Sequence, residues 1–176
     1  MLLLVSGGHT EYTIINGFNN YIRIGTTLDD ALGEAFDKSA RVLGLKYPGG
    51  PEIEKHAKNG DENKYRFPKP IINQSNCHFS FSGLKTAVAQ RVAAERNLNK
   101  KFKNDIAASF QKTICDILET KTKFAISEYK KSYPDKKISI VVAGGVAANQ
   151  KVKKIFNAIG KRNNYNIFFP SLYLCT

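Results

Sequence analysis

The sequence predicts an α/β domain with a mixed sheet, and three observations support this prediction. The 176 residues correspond to about one globular domain. Three strand-like segments follow one another near the start of the chain, as they do in a meander. Later strand-like segments alternate with helical patterns, which is typical of α/β proteins.

The meander lies at the front of the chain. The continuous apolar run Leu2–Val5 stops at Gly7-Gly8 and predicts a buried strand. Two further strands are predicted at Glu11–Ile15 and Tyr21–Ile24, separated by the turn residues Asn16-Gly17 and a short polar stretch.

The first helix is predicted to begin near Thr27, because Asp30 three residues later completes a capping signal. We expect it to run to about Leu43 and to be closed by Gly44.

A short helix, a loop and a third helical segment are predicted next. Pro51 is well placed to open a helix that ends near Ala57. Residues 59–76 are polar and are predicted to form a loop. The segment Phe79–Phe81 alternates with serines like a short strand, and Ser82 is then predicted to cap a helix.

The second half of the chain has stronger helical patterns. Apolar residues at helical spacing predict one long amphipathic helix, or two, over residues 102–131. Ile138–Val142 is predicted as a β-branched strand that ends in Gly144-Gly145 and leads into a further helix. Ile167–Phe169 is predicted as the last short strand.

The net charge of +12 is unevenly distributed along the chain. Residues 1–62 carry 6 basic and 9 acidic side chains, whereas the remainder carries 21 basic and 6 acidic ones. The basic side chains concentrate in residues 96–137 and 151–162. A surface flanking the Gly-Gly loops that binds a large anion such as nucleic acid would explain this pattern, and ordinary solvated lysine-rich helices would explain it equally well.

Composition also excludes several classes of protein. No stretch approaches the roughly 18 apolar residues of a membrane helix, and the short apolar start lacks the basic flank of a signal peptide. Cys77, Cys115 and Cys175 are odd in number and form no CxxC pair, which indicates a reduced, cytoplasmic compartment without a disulfide framework or zinc ribbon.

Two strands run directly into paired glycines, at Gly7-Gly8 and at Gly144-Gly145. Paired glycines remove Cβ atoms, so backbone N–H groups can approach a phosphate or a flat ring closely. Loops at the carboxyl ends of strands form the usual ligand crevice of an open α/β sheet. Neither loop matches a P-loop or a dinucleotide-binding motif.

The first predicted helix has an acidic face formed by Asp30, Glu34 and Asp37. Ribose hydroxyls, a metal ion or an amine would each satisfy this cluster. A solvated face is the alternative, with Lys38 and Arg41 each pairing with the acidic residue four positions earlier.

Motifs of several hydrolases are missing from the sequence. There is no HExxH or HxxxH pair and no GxSxG elbow, and Cys115 lies within a helical pattern. His9 follows the first Gly-Gly loop and would point at whatever that loop holds.

Six segments taken together resemble one family. They are LVSGGHTE (Leu4–Glu11), TTLDDALGEAFDKSARVLGL (Thr26–Leu45), YPGGP (Tyr47–Pro51), FSFSGLKTAV (Phe79–Val88), ASFQ (Ala108–Gln111) and VAGGVAAN (Val142–Asn149). In this order and spacing they are similar to the TsaD family, the tRNA N6-adenosine threonylcarbamoyltransferases, formerly labelled glycoproteases or O-sialoglycoprotein endopeptidases. The resemblance spans essentially the whole chain and is weakest in residues 59–76, 93–104 and 130–137.

The resemblance implies an actin-like ATPase fold of two ribonuclease-H-like halves, of which this sequence matches only the second. Residues 1–176 would then be a single nucleotide-binding half-domain, a mixed sheet with flanking helices and a helical insertion, without the N-terminal half. The implied activity is transfer of a threonylcarbamoyl group from threonylcarbamoyl-AMP to N6 of adenosine beside the anticodon of tRNAs. We expect the chain to be inactive alone.

Carried over residue by residue, the resemblance also implies which side chains and loops surround the adenylate. They are Leu4, Val5, Ser6, Gly7 and Gly8 on its phosphate side, Glu34 and Asp37 at the ribose, and Gly50, Gly144, Gly145 and Asn149 against the nucleotide. No catalytic base is assigned, and His9 and Glu11 are candidates only.

Members of the family bind one iron or zinc ion together with threonylcarbamoyl-AMP or ATP. Their HxxxH metal motif belongs to the first half, and this chain stops at Tyr173–Thr176, before the aspartate that is the third metal ligand. No metal ligand is therefore expected within this sequence. The implied partners are tRNA, an adenylate nucleotide, a paralogous dimerisation subunit and a small P-loop ATPase, and no membrane.

Two alternatives of other classes remain. The older label suggests a metalloendopeptidase, and the chain by itself could be a non-catalytic module that binds nucleotide or RNA. Actin-like sugar kinases and chaperone ATPases lack the GEAFDK and FSFSGLKTA segments that are present here.

Overall fold

The computed structural model describes residues 1–171 and residue 173. The sequence interpretation also concerned Cys175 and the end of the chain. Of these residues, Leu174, Cys175 and Thr176 lie outside the described residues.

The described residues form an α/β fold around a five-stranded mixed sheet, as predicted. The strands are β1 Leu2–Val5, β2 Thr10–Gly17, β3 Asn20–Thr26, β4 Ser139–Ala143 and β5 Asn166–Phe168. Their order in the sheet is β3-β2-β1-β4-β5. The meander β1-β2-β3 is antiparallel, whereas β4 runs parallel to both β1 and β5.

Five α-helices and one 3₁₀ turn complete the part of the chain that the structure describes. They are α1 Leu32–Val42, α2 Gly49–Ala57, α3 Ser82–Ala93, α4 Lys100–Ser132 and α5 Gln150–Asn163, with the 3₁₀ turn at Gly145–Ala148. The helical pattern over residues 102–131 is one continuous helix of 33 residues. No helix among residues 1–171 is both long and apolar enough to cross a membrane.

The predicted strand at Phe79–Phe81 is wrong. Only Phe79 forms a bridge, with Thr27, and both phenylalanine rings are fully buried. Their rings stack with centroids 5.8 Å apart, and Phe79 also stacks on Tyr12. The alternation with serine therefore reflects two rings that pack into one core.

The predicted start of α1 is also wrong, because its cap comes from another element. Thr27 Oγ1 donates a hydrogen bond to the Asp30 carbonyl instead of capping the helix, and the helix begins at Leu32. The Leu32 N–H is accepted by Thr10 Oγ1 at 2.8 Å, from β2. Gly44, with a φ of +65°, ends the helix region as predicted.

Each helix around the carboxyl end of the sheet begins on a side chain of an earlier element. Thr10 of β2 caps α1, Asp37 of α1 accepts the Gly49 N–H of α2 at 2.7 Å, and Glu54 of α2 accepts the Gln150 N–H of α5 at 3.2 Å. We call this sequence of three bonds the cap relay. It fixes the positions of three helix N-termini relative to β1 and β4.

The two faces of the sheet differ in burial. One face carries Leu3, Tyr12, Ile140 and Val142, which are fully buried under α4 and α5. Tyr12 Oη lies 2.6 Å from Thr122 Oγ1 of α4, which ties the helix to this face.

The opposite face, which we call the open face, carries apolar side chains that are partly or largely exposed. They are Leu2, Leu4, Ile15, Tyr21, Val141 and Phe168, which the register places side by side. Ile15 is 46% exposed, Tyr21 58% and Phe168 54%.

Candidate functional site

A cleft of about 610 Å³ opens at the carboxyl ends of β1 and β4. This volume is within the range of small-molecule sites. Its walls come from the loop after β1, from α1, from the start of α2 and from the 3₁₀ turn after β4. The lining residues are Ser6, Gly7, Gly33, Phe36, Asp37, Tyr47, Pro48, Gly50, Pro51, Glu54, Gly145, Val146, Ala148 and Asn149.

Glycines serve two different purposes around this cleft. A Cβ on Gly33 would lie 2.8 Å from Gly7 N and Ser6 O, so the absence of a side chain lets α1 pack on the loop after β1. Gly144, at a φ of +99°, likewise leaves no room beside Val5 O. In contrast, a Cβ on Gly7, Gly50 or Gly145 would meet nothing within 4 Å, so these three expose backbone to open space.

The loop after β1 is held in shape by Ser6. Ser6 Oγ accepts hydrogen bonds from the backbone N–H groups of Gly8 at 3.3 Å and His9 at 3.0 Å. The Ser6 carbonyl in turn accepts the Gly33 N–H at 3.0 Å, in the first turn of α1. These bonds fix the loop against the first turn of α1, so that the N-terminus of this helix lies at the mouth of the cleft.

Two carboxylates reach the cleft from neighbouring helices. Asp37 is on α1 and Glu54 is on α2, and each accepts one backbone N–H in the cap relay. A carboxylate has about four lone-pair positions, so one backbone bond leaves each group able to accept hydroxyl donors.

Asn149 closes the base of the cleft and is 6% exposed. Its side-chain oxygen accepts the N–H groups of Lys151 and Val152, which caps α5. Its amide nitrogen donates to Gln111 Oε1 of α4 at 2.8 Å. Asn149 therefore holds the 3₁₀ turn, α4 and α5 together beside the cleft.

Comparison with known proteins assigns the chain to a family. A family model described as "TsaD: tRNA N6-adenosine threonylcarbamoyltransferase" matches residues 1–176. The chain belongs to the TsaD family.

Curated TsaD proteins are similar to the whole of this chain. It is 49% identical to the tRNA N6-adenosine threonylcarbamoyltransferase of Pelagibacter ubique over 99% of its length, and 52% identical to that of Rickettsia conorii over 100%. It covers 48% of the first relative and 52% of the second. The chain thus spans about half the length of the curated TsaD proteins it matches.

The residues that the TsaD resemblance implied fall into two groups. Those that line the cleft are Ser6, Gly7, Asp37, Gly50, Gly145 and Asn149. Those that do not are Leu4, Val5, Gly8, Glu34 and Gly144. Leu4 pairs with Ala143 inside the sheet, Val5 is in the core, and Gly8 is exposed in the loop.

Glu34 lies outside the cleft and is paired with Lys38. Lys38 Nζ is 2.8 Å from Glu34 and 2.8 Å from Asp30, so one ammonium group forms ion pairs with both carboxylates. The hydrogen bond from Lys38 lowers the pKa of Glu34. The acidic face therefore divides, because Asp37 alone of the three reaches the cleft.

Some lining residues were missed by sequence reasoning. Gly33, Phe36 and Asp37 share one helix face by their three- and four-residue spacing, and the same spacing joins Gly50 to Glu54 on α2. Extending the predicted contacts along these faces would have found Phe36 and Glu54.

The candidate bases of this TsaD chain occupy different places. His9 is exposed on the loop after β1, whereas Glu11 lies on the open face with Arg23 3.6 Å away. Burial raises the pKa of the Cys115 thiol to about 12, which makes it a poor nucleophile at neutral pH.

Among residues 1–171 and 173, no three His, Cys, Asp or Glu side chains are arranged to hold a metal ion.

Proposed function

We propose that this chain supplies the adenylate-binding half of a tRNA N6-adenosine threonylcarbamoyltransferase. The observation that carries the proposal is the cleft itself. It combines exposed backbone, two carboxylates and an apolar wall at the carboxyl ends of β1 and β4, in a chain of the TsaD family.

The cleft offers a separate environment for each part of an adenylate. Asp37 and Glu54 would accept hydrogen bonds from the ribose hydroxyls, since both are carboxylates on adjacent helices. Phe36, Pro51 and Val146 supply an apolar wall for the flat base. The loop after β1 would approach the phosphate through Gly7, beside the N-terminus of α1.

The fold supports the placement of this half within a larger protein. In ribonuclease-H-like domains, an antiparallel meander is followed by two strands parallel to the first, and the order β3-β2-β1-β4-β5 agrees with this. Together with the resemblance of the six segments to the second half of TsaD proteins, this order leads us to propose that the chain is the second half of an actin-like fold, with α2 and α3 belonging to the insertion between β3 and β4.

The reaction transfers the carbamoyl carbon between two partners. The N6 amine of adenosine forms a bond to this carbon, the bond from the carbon to the phosphate oxygen breaks, and AMP leaves with that oxygen while N6 loses a proton. Binding AMP and orienting the acyl phosphate is the part of this reaction that the cleft would perform. The proposed partners are tRNA, a paralogous dimerisation subunit and a small P-loop ATPase, in the cytoplasm. The chain by itself is expected not to carry out transfer.

Calorimetric titration with AMP tests the assignment. Glu54→Gln removes a carboxylate from the cleft, and Glu34→Gln is the matched control, since Glu34 lies on the same side of the molecule but outside the cleft. Loss of a charge-assisted hydrogen bond worth about 1.5–3 kcal/mol would weaken AMP binding by roughly 10- to 100-fold for Glu54→Gln alone.

Gly145→Val gives a second, steric test, because a valine side chain would enter the open space above Gly145. Unchanged AMP affinity in both Gly145→Val and Glu54→Gln would contradict the assignment of the cleft.

A further inference from the structure

A second surface of the molecule combines lysines with tyrosines. It is formed by the last turns of α4, the link to β4 and the link from α5 to β5, and its members are Lys130, Tyr133, Lys136, Lys137, Arg162 and Tyr165. We call it the lysine–tyrosine surface. The two stretches that build it, residues 129–137 and 161–165, hold six basic side chains and one acidic one.

Most of the charge on this surface is free. Arg162 binds Glu119 at 3.0 Å and shares this carboxylate with Lys123, 3.4 Å away, so one positive charge of this group stays uncompensated. In contrast, Lys130, Lys136 and Lys137 are exposed, and none of them pairs with a carboxylate in the described part of the chain. Three unpaired ammonium groups within eight residues repel one another, so a bound polyanion would relieve an existing cost.

The tyrosine rings lie among these ammonium groups. Lys130 Nζ is 5.7 Å from the centre of the Tyr165 ring, and Lys136 Nζ is 5.1 Å from that of Tyr133. Tyr133 also contacts Tyr129, with ring centres 5.0 Å apart. Tyr165 further lines an open groove of about 420 Å³ between α4 and α5, with Lys123 and Arg162 beside it.

This surface lies at the end of the sheet opposite the cleft. Lys136 and Lys137 directly precede β4, whereas the cleft begins where β4 ends. The five residues of β4 separate the two ends by about 16 Å at roughly 3.3 Å per residue. Lysines of the basic segments 96–137 and 151–162 therefore lie at both ends of the sheet. Lys151, for example, is at the other end of α5 and binds Glu62.

We propose that the lysine–tyrosine surface binds the phosphate backbone of an RNA, with an unpaired base stacked against the Tyr165 ring. Lysines that form no ion pair can neutralise phosphates, and aromatic rings stack on bases irrespective of the base sequence. The inference rests on the proposed function only in taking tRNA as the RNA. A tRNA that contacts this surface and also enters the cleft would span the length of the sheet.

Filter binding of unmodified tRNA across a range of salt concentrations tests the charges. The combined variant Lys130→Gln, Lys136→Gln and Lys137→Gln should make the negative slope of log affinity against log salt shallower by about two to three units. At about 0.1 M salt, this change corresponds to roughly 100- to 1,000-fold weaker binding. The matched control is Lys46→Gln, Lys58→Gln and Lys100→Gln, which removes the same charge from exposed, unpaired lysines elsewhere on the described surface and should change the slope much less.

Tyr165 tests the stacking in a way that charge does not affect. Tyr165→Leu should weaken binding by roughly 5- to 100-fold at every salt concentration with the slope unchanged, whereas Tyr165→Phe should retain the parent affinity. Thermal melting of each variant confirms that it is folded.

Three results would overturn the inference. The first is superimposable salt titrations of the parent and the Lys130 triple variant, and the second is an equal loss of tRNA affinity in both triple variants. The third is a Lys130 triple variant that binds tRNA like the parent but loses binding to vesicles of two parts phosphatidylcholine and one part phosphatidylserine. AMP titration distinguishes failure of this inference from failure of the proposed function. Failure of the parent to bind AMP contradicts the cleft assignment, while altered tRNA binding with intact AMP binding supports the lysine–tyrosine surface.

Discussion

Gly33 and Gly145 both line the cleft, but a methyl group should destabilise the protein at Gly33 and have little effect at Gly145. Gly33→Ala places a Cβ 2.8 Å from backbone atoms of Ser6 and Gly7, so α1 must move away from the loop after β1. We expect a loss of about 1–3 kcal/mol in the free energy of unfolding, as for other overpacked positions. Gly145→Ala points into open space and should change stability by less than about 0.5 kcal/mol. Urea denaturation of the two variants measures the difference, and equal losses would contradict the two roles of glycine.

Asp29 should give the protein part of its stability against acid. It accepts hydrogen bonds from Phe81 N at 2.7 Å and from Ser82 N at 3.2 Å, at the start of α3. Partial burial opposes ionisation of Asp29, but the hydrogen bonds donated by Ser80, Phe81 and Ser82 outweigh it and lower the pKa. A lowered pKa means that this contribution is present above the ordinary value of 3.8 and is lost as the pH falls below it.

The variant Asp29→Ala should therefore unfold more easily at pH 7, by about 1 kcal/mol as for a lost helix cap. Its urea midpoint should converge with that of the parent as the pH falls below 3.8, because the parent then loses the charge as well. Midpoints separated by the same interval at both pH values would show that the carboxylate charge is not involved.

At the scale of the elements, α4 anchors the loop before Phe79 through one buried lysine. Lys121 is fully buried, and its Nζ donates to the carbonyls of Ile71 at 2.9 Å, Gln74 at 3.1 Å and Asn76 at 3.2 Å. Burial lowers the pKa of Lys121. These carbonyls lie outside helices and strands, and the ammonium group supplies the hydrogen-bond donors that a helix or strand would otherwise provide.

Lys121→Met keeps most of the side-chain volume but removes the donor from three carbonyls. We expect a loss of about 2–3 kcal/mol and faster cleavage by proteases within residues 71–76. The control Lys123→Met removes an exposed lysine paired with Glu119 and should cost less than about 1 kcal/mol. Limited proteolysis followed by mass spectrometry locates the cleavage, and an unchanged pattern in Lys121→Met would contradict the anchoring role.

Elements with local signals were predictable, whereas those fixed by distant contacts were not. The apolar run of β1 and the helical spacing of α4 are written in neighbouring residues, so both were predicted within about two residues. The start of α1 depends on Thr10, which is 22 residues before Leu32. Similarly, the cap of α3 is Asp29, 53 residues before Ser82. A pattern of neighbouring residues cannot show a capping partner that lies this far away in the chain.

The same distinction applies to the cleft. The Gly-Gly loops and Asp37 were found because strand ends and helix faces can be predicted locally. Glu34 was also expected at the ribose, and the structure places it outside the cleft and paired with Lys38, one of the two kinds of partner that the sequence offered. Glu54 was missed although its four-residue spacing from Gly50 places both on one face of α2, and its partner Gln150 follows 96 residues later in the chain.

At the scale of the whole molecule, the open face is an apolar area on a chain that is otherwise strongly charged. Ile15, Tyr21 and Phe168 are each about half exposed on it. Contiguous apolar patches promote association and dye binding, whereas single exposed side chains do not.

Replacing part of the open face should therefore improve solubility. The double variant Ile15→Thr and Phe168→Thr should bind less anilinonaphthalene sulfonate and scatter less light at high concentration than the parent. Phe18→Thr is the control, because Phe18 is 92% exposed at the tip of the β2–β3 hairpin, beyond the paired positions of this face. A control with an effect equal to that of the double variant would show that contiguity of the patch is unimportant.

The cap relay has a consequence for how the molecule opens. Thr10, Asp37 and Glu54 each hold the first turn of the next helix, so displacement of α1 or α2 removes a support from the helix that follows in the relay. Amide protons at the starts of α1, α2 and α5 should therefore exchange with solvent as one cooperative unit rather than at three independent rates. A ligand that tightens the α1 and α2 walls of the cleft would slow exchange at all three, and would stabilise the start of α5, which contributes no lining residue.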